Sequence, residues 1–285
     1  MRICRFNDNR VGVVRDDGIH DVTDALGTLP SWSYPLPRLD PLVDRLSVLK
    51  PEFELKAIKS KAIPIESVRL LSPVANPGKL IAAPVNYRKH LEEALADKGT
   101  HHGKLVDEIH KAGLFLKATS ALAGAGEGVA LVHTERRNDH EVELALVIGR
   151  QGRNIRAADA LGYVAGYCIG LDITIRGPED RSMRKSPDSY AVLGPWLVTS
   201  DEILDPSQLE ISLKVNGEIR QSSNTREFVM PIPKLIEWAS SFYTLYPGDV
   251  LFTGTPQGVG PIRPGDVMLA TIDKIGSMRV EVRAA

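Results

Sequence analysis

Short runs of alternating or unbroken apolar residues, separated by Gly, Pro, Asn and Asp, recur along the chain, and helical periodicities are few. That pattern predicts an α+β protein that is predominantly β. Strands are expected over Met1 to Phe6 and Arg10 to Arg15, joined by Asn7-Asp8-Asn9, with Asp16-Asp17-Gly18 turning into a third strand from Ile19 to Val22. A Pro-rich stretch (Pro30, Pro35, Pro37, Pro41) leads to a helix over Leu42 to Lys50, a polar segment to Ile65 and an apolar run from Val68 to Leu71. A boundary is placed near Ser72, which divides a small N-terminal domain, residues 1–72, from a larger one, residues 73–285.

In the larger part, Lys79 to Ala83 reads as a buried strand ending at Pro84, and Asn86 to Lys98 as a short helix. The charged stretch that follows, reaching Lys111, is a candidate lid. Further strands are expected at Leu114 to Lys117, His140 to Ile148, Leu161 to Thr174, Trp196 to Thr199, Leu209 to Val215, Val250 to Thr253 and Val267 to Ile272, with one clear helix over Ile232 to Tyr243. No internal repeat, heptad run or low-complexity tract is found, so solenoid, coiled-coil and disordered readings fall away.

Charge narrows the partners. Thirty-five Lys and Arg against 36 Asp and Glu leave a formal charge of −1, so no global field favours nucleic acid or an anionic membrane. No run approaches the roughly 20 apolar residues that span a bilayer, and Met1 to Asn7 lacks the apolar stretch of a signal peptide. The two cysteines, Cys4 and Cys168, stand far apart in apolar surroundings and read as small core residues rather than a disulfide, which fits a reducing cytoplasm.

Against this background the segment His140-Glu141-Val142-Glu143-Leu144-Ala145-Leu146 is unusual, because the period of a strand puts Glu141 and Glu143 on one face of a mostly apolar run. Adjacent buried acids repel and lose hydration, so they need protons, cationic partners or a metal. A second apolar stretch carries one acid, Asp172, and the three together would make an oxygen-only site suited to magnesium, manganese or calcium rather than zinc. The same residues also read as a solvated strand face, with Asp172 paired to Arg176.

On a helix, His90 and Glu93 stand at i and i+3, where a carboxylate can orient an imidazole as a general base; an ordinary surface ion pair has the same spacing. The remaining histidines show no zinc-ligand spacing; His101, His102 and His110 read as solvated, and His133 and His140 as flanking a polar turn. In Thr253-Gly254-Thr255-Pro256-Gln257-Gly258-Val259-Gly260 the glycines allow a close backbone approach, and Thr255 offers a hydroxyl and an amide to a carboxylate. A tight structural turn accounts for the same residues, and the Gly-Lys-Ser/Thr ending of a phosphate loop is missing.

The ordered set Asn86-Tyr87-x-x-His90-x-x-Glu93, Phe115-Leu116-Lys117, Glu141-x-Glu143, Asp172, Lys185, Gly194-Pro195-Trp196, Val215-Asn216-Gly217-Glu218 and Thr253-Gly254-Thr255-Pro256-x-Gly258-Val259-Gly260 resembles the fumarylacetoacetate hydrolase superfamily, including its acylpyruvase and 2-hydroxyhepta-2,4-diene-1,7-dioate isomerase-like members. The resemblance runs from about residue 75 to 275, and the first 70 residues are similar to a small N-terminal domain that some members carry. It implies a mixed β-roll, commonly a homodimer, in which Glu141, Glu143 and Asp172 hold magnesium or manganese, with calcium as a substitute. His90, Glu93 and Lys185 would be catalytic, and Tyr87, Lys117, Arg176 and Thr255 would meet the substrate.

The implied substrate is a small 2-oxo acid and the implied reaction C–C hydrolysis through an enolate. Decarboxylation, aldol cleavage and enol–keto isomerisation are open on the same scaffold, as is a binding protein without turnover. The chain departs from the family pattern near the pocket. Many members show a Ser/Thr-Ala-Arg-Asp run with a nearby Gln after the metal-binding Asp, whereas Ile173-Thr174-Ile175-Arg176-Gly177-Pro178-Glu179 keeps the arginine, puts Gly177 at the acid and Glu179 near the glutamine. The usual Lys-Ser-Phe-Asp becomes Lys185-Ser186-Pro187-Asp188. An altered pocket is expected.

Overall fold

The structure, a computed structural model, describes residues 1–96 and 109–285. Most of the candidate lid, with His101 and His102, lies outside the described residues. Among the described residues the largest sheet has 12 strands. At its centre lie Ala191–Thr199, Val164–Asp172, Val142–Ile148 and Val250–Phe252, each antiparallel to the next, and the path continues through Leu80–Ala82 to Phe115–Lys117. On the other side the N-terminal hairpins join it directly: Arg2–Phe6 pairs with Ala191–Thr199 in the register Arg2↔Val198 and Ile3↔Leu197. The first strands therefore extend the sheet that holds the candidate site.

A five-stranded sheet, with Glu218–Asn224, Glu210–Val215, Val267–Ile272, Gly276–Ala284 and Val129–Leu131 in that order, packs against this sheet. Every residue of Val142–Ile148 is buried. Its even-numbered residues Val142, Leu144, Leu146 and Ile148 share a core with Leu213, Met268, Ala270 and Val280, while Ala145 and Val147 face the opposite core with Leu49, Phe53, Leu80 and Phe252. A strand apolar on both faces is what a central position in a layered fold demands. On such a strand a carboxylate on either face is sealed from bulk water.

Several expected boundaries move. The helix expected to end at Lys50 runs over Leu46–Lys59, straight through Pro51, because Leu46, Leu49, Phe53 and Ala57 recur at three- to four-residue intervals and bury one face. The packing of that stripe outweighs the one backbone hydrogen bond a proline removes. The strand expected from Leu161 begins at Val164, after a 3-10 segment over Ala157–Tyr163, and Ala191–Thr199 starts five residues before Trp196. The C-terminal helix, Ile232–Phe242, lies where its periodicity places it, opened by Pro233 and burying Ile232, Leu235, Ile236 and Ala239. Among the described residues no helix is long and apolar enough to cross a membrane.

Close sheet packing makes a specific stability prediction. A Cβ at Gly166 would press into the carbonyl oxygen of Val198 on the adjacent strand, and backbone cannot swing aside as a side-chain tip can. Gly166→Ala is expected to lose about 1–3 kcal/mol or more of unfolding free energy. Chemical denaturation measures it, and an unchanged midpoint would show that the sheet relaxes there.

Candidate active site and metal centre

The site forms where three chain segments leave the large sheet together. Asn138–His140 belongs to a separate three-stranded sheet with Thr174–Ile175 and Gly260–Ile262, so the single strand expected over His140 to Ile148 is broken at Glu141. Asp172 ends its strand at the same level, with its amide donating to the Glu141 carbonyl at 2.9 Å. The segment from Thr253 to Val259 crosses the same gap. Glu141, Glu143 and Asp172 converge there, each at most 5% exposed, with one oxygen from each lying within 4.8 Å of the others. The solvated-face reading of these acids is thereby excluded.

Cations surround this cluster unevenly. Lys185 Nζ donates to Glu141 Oε2 at 2.8 Å, Asp172 Oδ2 at 2.7 Å and the Thr174 hydroxyl at 2.6 Å. Lys117 Nζ donates to Asp172 Oδ1 and to the Tyr190 carbonyl at 2.8 Å. Arg176 donates to Glu141 Oε1 at 3.1 Å and to Asp139 at 2.7 Å. Burial pushes the Glu141 carboxyl up, but Lys185 and Arg176 outweigh it and hold the group at about 2. Glu143 is different: among the described residues no Lys, Arg or His forms an ion pair with it, and it accepts only the Gly254 amide at 2.6 Å. Burial first, then the Asp172 and Glu141 charges, push its carboxyl well above the usual range.

A buried carboxylate without a cation, beside two others, fits a hard divalent cation with oxygen ligands. It also fixes a sign. Because the folded value of Glu143 lies above its unfolded value, its contribution to the stability of the metal-free protein is fully present below the unfolded value and is lost as pH rises through the raised one. A cation displaces that proton, so the rise in Tm on adding manganese is expected to grow as pH climbs beyond the usual carboxylate range. Thermal unfolding with chelator and with manganese across pH measures this. A metal-induced shift independent of pH would refute it.

The expected base lies on the helix Arg88–Ala96. His90 is buried, its Nδ1 3.2 Å from Glu93 Oε2, and Glu93 also accepts the Gly258 amide at 2.9 and 3.1 Å. Burial raises the Glu93 carboxyl, but the bonds from His90 and Gly258 together bring it below its ordinary value. His90 is close enough for its charge to bear on Glu141. The surface-pair alternative for His90 and Glu93 does not match a pair pinned to the glycine loop. Gly254 and Gly258 both have positive φ, 96° and 92°, and a Cβ at Gly258 would run into the Arg220 carbonyl, so the loop that receives Glu93 and Glu143 needs glycine at both places.

The four residues expected to meet the substrate are placed differently from one another. Lys117 supports Asp172 from a fully buried position, and Arg176 holds Glu141 and Asp139. The Thr255 hydroxyl donates to the Val142 carbonyl and accepts from Gln221, both at 2.8 Å. Tyr87 stands edge-on to Phe228 with centroids 4.9 Å apart, and its buried hydroxyl has no hydrogen-bond partner among the described residues. Burial, with the Glu143 charge next, raises that phenol. Tyr87 thus keeps a buried hydroxyl in reserve.

Asp139, Thr174 and Gln221 are part of the site without being singled out in the sequence. Asp139 receives Arg137 and Arg176, Thr174 joins Lys185 to Glu141, and Gln221 ties His140 and Val142 to the glycine loop. His140, expected beside a polar turn, is fully buried in this network. Asp139 directly precedes His140-Glu141 in sequence, which is a usable signal; nothing local marks Gln221, 81 residues from its partner His140.

Residues 79–283 match the fumarylacetoacetate (FAA) hydrolase C-terminal family, well over half of the chain. The chain belongs to the fumarylacetoacetate hydrolase family. Within it, the chain is 59% identical to maleylpyruvate hydrolase of Aquipseudomonas alcaligenes, over 100% of both chains. It is 40% identical to the mitochondrial oxaloacetate tautomerase Fahd2a of Rattus norvegicus, over 75% of this chain and 66% of that one. A crystal structure of maleylpyruvate hydrolase from Sphingobium sp. SYK-6, in complex with manganese(II) and pyruvate, superposes with a TM-score of 0.85 at 37% identity, covering 100% of both chains. The fold is the mixed β-roll of this family, and the buried acidic triad suits the cation that this structural relative binds.

Proposed function

We propose that this member of the family is a divalent-metal-dependent hydrolase of acylpyruvates of the maleylpyruvate kind, releasing pyruvate and a carboxylic acid. The observation that carries the reading is the His90–Glu93 pair, docked on Gly258 beside three buried carboxylates that fit a cation. Full-length likeness to maleylpyruvate hydrolase supports the substrate class. Glu141, Glu143 and Asp172 would hold magnesium or manganese, or calcium in substitution, and that ion would supply Lewis acidity toward the 2-oxo acid end of the substrate.

The chain's own residues carry the proton transfers. With Glu93 accepting from Nδ1, the basic nitrogen of His90 is Nε2. It takes a proton from water as the oxygen attacks the C4 carbonyl, the C3–C4 bond breaks, and its electron pair moves to C3 and the 2-oxo oxygen. The proton on His90 then returns to C3, giving pyruvate. Lys185 has all three N–H groups committed to Glu141, Asp172 and Thr174, so it acts here through its positive charge beside the developing negative one. The Tyr87 hydroxyl, which has no hydrogen-bond partner among the described residues, would meet the bound substrate.

Product analysis of chelator-stripped protein with maleylpyruvate, with and without added manganese, tests the reading. Metal-dependent formation of pyruvate and an acid is expected. Carbon dioxide or an aldehyde would replace hydrolysis by a lyase reaction. Likeness to an oxaloacetate tautomerase favours proton transfer at C3 as a second reading, recognised by a change in enol absorbance without pyruvate release. We also read the chain as a cytoplasmic homodimer acting on small molecules, without nucleic-acid or membrane partners. The free, buried Cys4 and Cys168 suit a reducing compartment, and light scattering tests the dimer.

A further inference from the structure

The loop between Asp172 and Lys185, where the chain departs from the family pattern, is held by arginines from outside and inside it. Arg136 forms two bonds to the Glu179 carboxylate, at 3.1 and 2.8 Å, and also donates to the Arg176 carbonyl. A Cβ at Gly177 would run into the Arg136 guanidinium, so glycine there is what lets this clamp close. Arg184 donates from Nε to the Glu179 carbonyl at 2.9 Å, and Asp180 caps the short helix Arg181–Arg184 through the Ser182 amide at 3.1 Å.

Arg181, the first residue of that helix, is the exception among these arginines. Its guanidinium lies over the Phe115 ring, 5.4 Å from the centroid, and Lys185 Nζ lies 5.5 Å from the centroid of the same ring. Lys185 also grips Glu141 and Asp172, so Arg181 shares one aromatic ring with the lysine that holds the metal carboxylates. Among the described residues no carboxylate pairs with Arg181, and Asp180 beside it is spent on the helix cap. Burial lowers the guanidinium's hold on its proton, and the charge acting most strongly on it is that of Glu141. A partly buried guanidinium that no carboxylate among the described residues pairs with has lost hydration and gained a ring face, a state that a ligand carboxylate relieves.

We propose that Arg181 receives the second carboxylate of a dicarboxylic acylpyruvate and makes the enzyme selective for such substrates over neutral acylpyruvates. This rests on the acylpyruvate reading above. With the 2-oxo acid end at the triad, the far end of a seven-carbon diacid lies on the order of 6–8 Å away by ordinary covalent lengths, a reach compatible with Arg181 and Lys185 both lying against the Phe115 ring. The clamp made by Arg136, Glu179 and Gly177 fixes the loop, so the guanidinium is positioned before the substrate arrives.

The test compares wild type, Arg181→Met and Arg181→Lys, all manganese-loaded, in two ways. The first is kcat/KM for maleylpyruvate against an acylpyruvate ending in a methyl group. The second is calorimetric affinity for 2-oxopimelate against 2-oxoheptanoate, which differ in the terminal carboxylate and need no turnover. Arg181→Met is expected to lower the maleylpyruvate preference by about 10- to 100-fold, mainly through KM, and to erase the preference for 2-oxopimelate, with Arg181→Lys recovering part of both. Unchanged ratios in Arg181→Met, or equal losses on both members of each pair, would overturn the proposal. If wild type cleaves neither acylpyruvate but prefers 2-oxopimelate through Arg181, the hydrolase reading falls while the carboxylate-binding role of Arg181 stands. If wild type cleaves acylpyruvates and the variant keeps both preferences, the reverse holds.

Discussion

Asp172→Ala is expected to abolish manganese binding and to reduce turnover by at least about a thousandfold, the scale of several kcal/mol of charge stabilisation supplied by a catalytic cation. Asp172 is the acid on which the site is built, since it accepts from both Lys117 and Lys185 while contributing an oxygen to the triad. Truncation removes one ligand and leaves the buried Lys117 ammonium without its carboxylate. The freed lysines would then compete with a cation for Glu141. Calorimetric titration of the chelator-stripped variant with manganese, beside a pyruvate-release assay, reads both effects. Retained metal affinity would remove Asp172 from the ligand set. Asp172→Asn, which keeps the shape and loses the charge, should fail in the same way while unfolding closer to wild type.

His90→Ala should separate binding from chemistry. The imidazole is linked to the triad through charge rather than through a shared hydrogen bond, so the metal should bind the variant as it binds wild type. Hydrolysis should fall by about 10²- to 10⁴-fold, the usual contribution of a positioned base, with kcat affected more than KM. Glu93→Gln should show a different pattern, because Glu93 both orients His90 and accepts the Gly258 amide: kcat falls and KM rises together as the helix loosens from the loop. A fully active His90→Ala variant would end the base assignment and turn attention to the Tyr87 hydroxyl.

The parts of this site that were legible in the sequence share a property. Glu141, Glu143, Asp172, His90 and Glu93 are charged or titratable residues at short, patterned spacings, or acids alone in apolar runs, and such placements carry an electrostatic cost that invites explanation. Their supports were not legible in this way. Thr174 and Gln221 are ordinary polar residues whose importance comes from partners brought near by sheet pairing. Arg181 stands in an arginine-rich segment where nothing local tells the paired side chains from the unpaired one.

By itself the sequence determined the β-dominated class, the helix near Ile232 to Phe242 and the glycines of the Thr253–Gly260 loop, and it marked Glu141, Glu143, Asp172 and the His90–Glu93 pair as candidates, because alternation, helical period, backbone freedom and charge are local properties. Only the tertiary structure decided that the strand expected over His140 to Ile148 breaks at Glu141 and changes sheet, that the N-terminal hairpins continue the central sheet, and that Leu46–Lys59 stays helical through Pro51. It also decided which cations are consumed by which carboxylates, leaving Glu143 without an ion pair among the described residues. Each of those outcomes depends on what packs or pairs across tens of residues of chain, and a window along one sequence holds one half of every such contact.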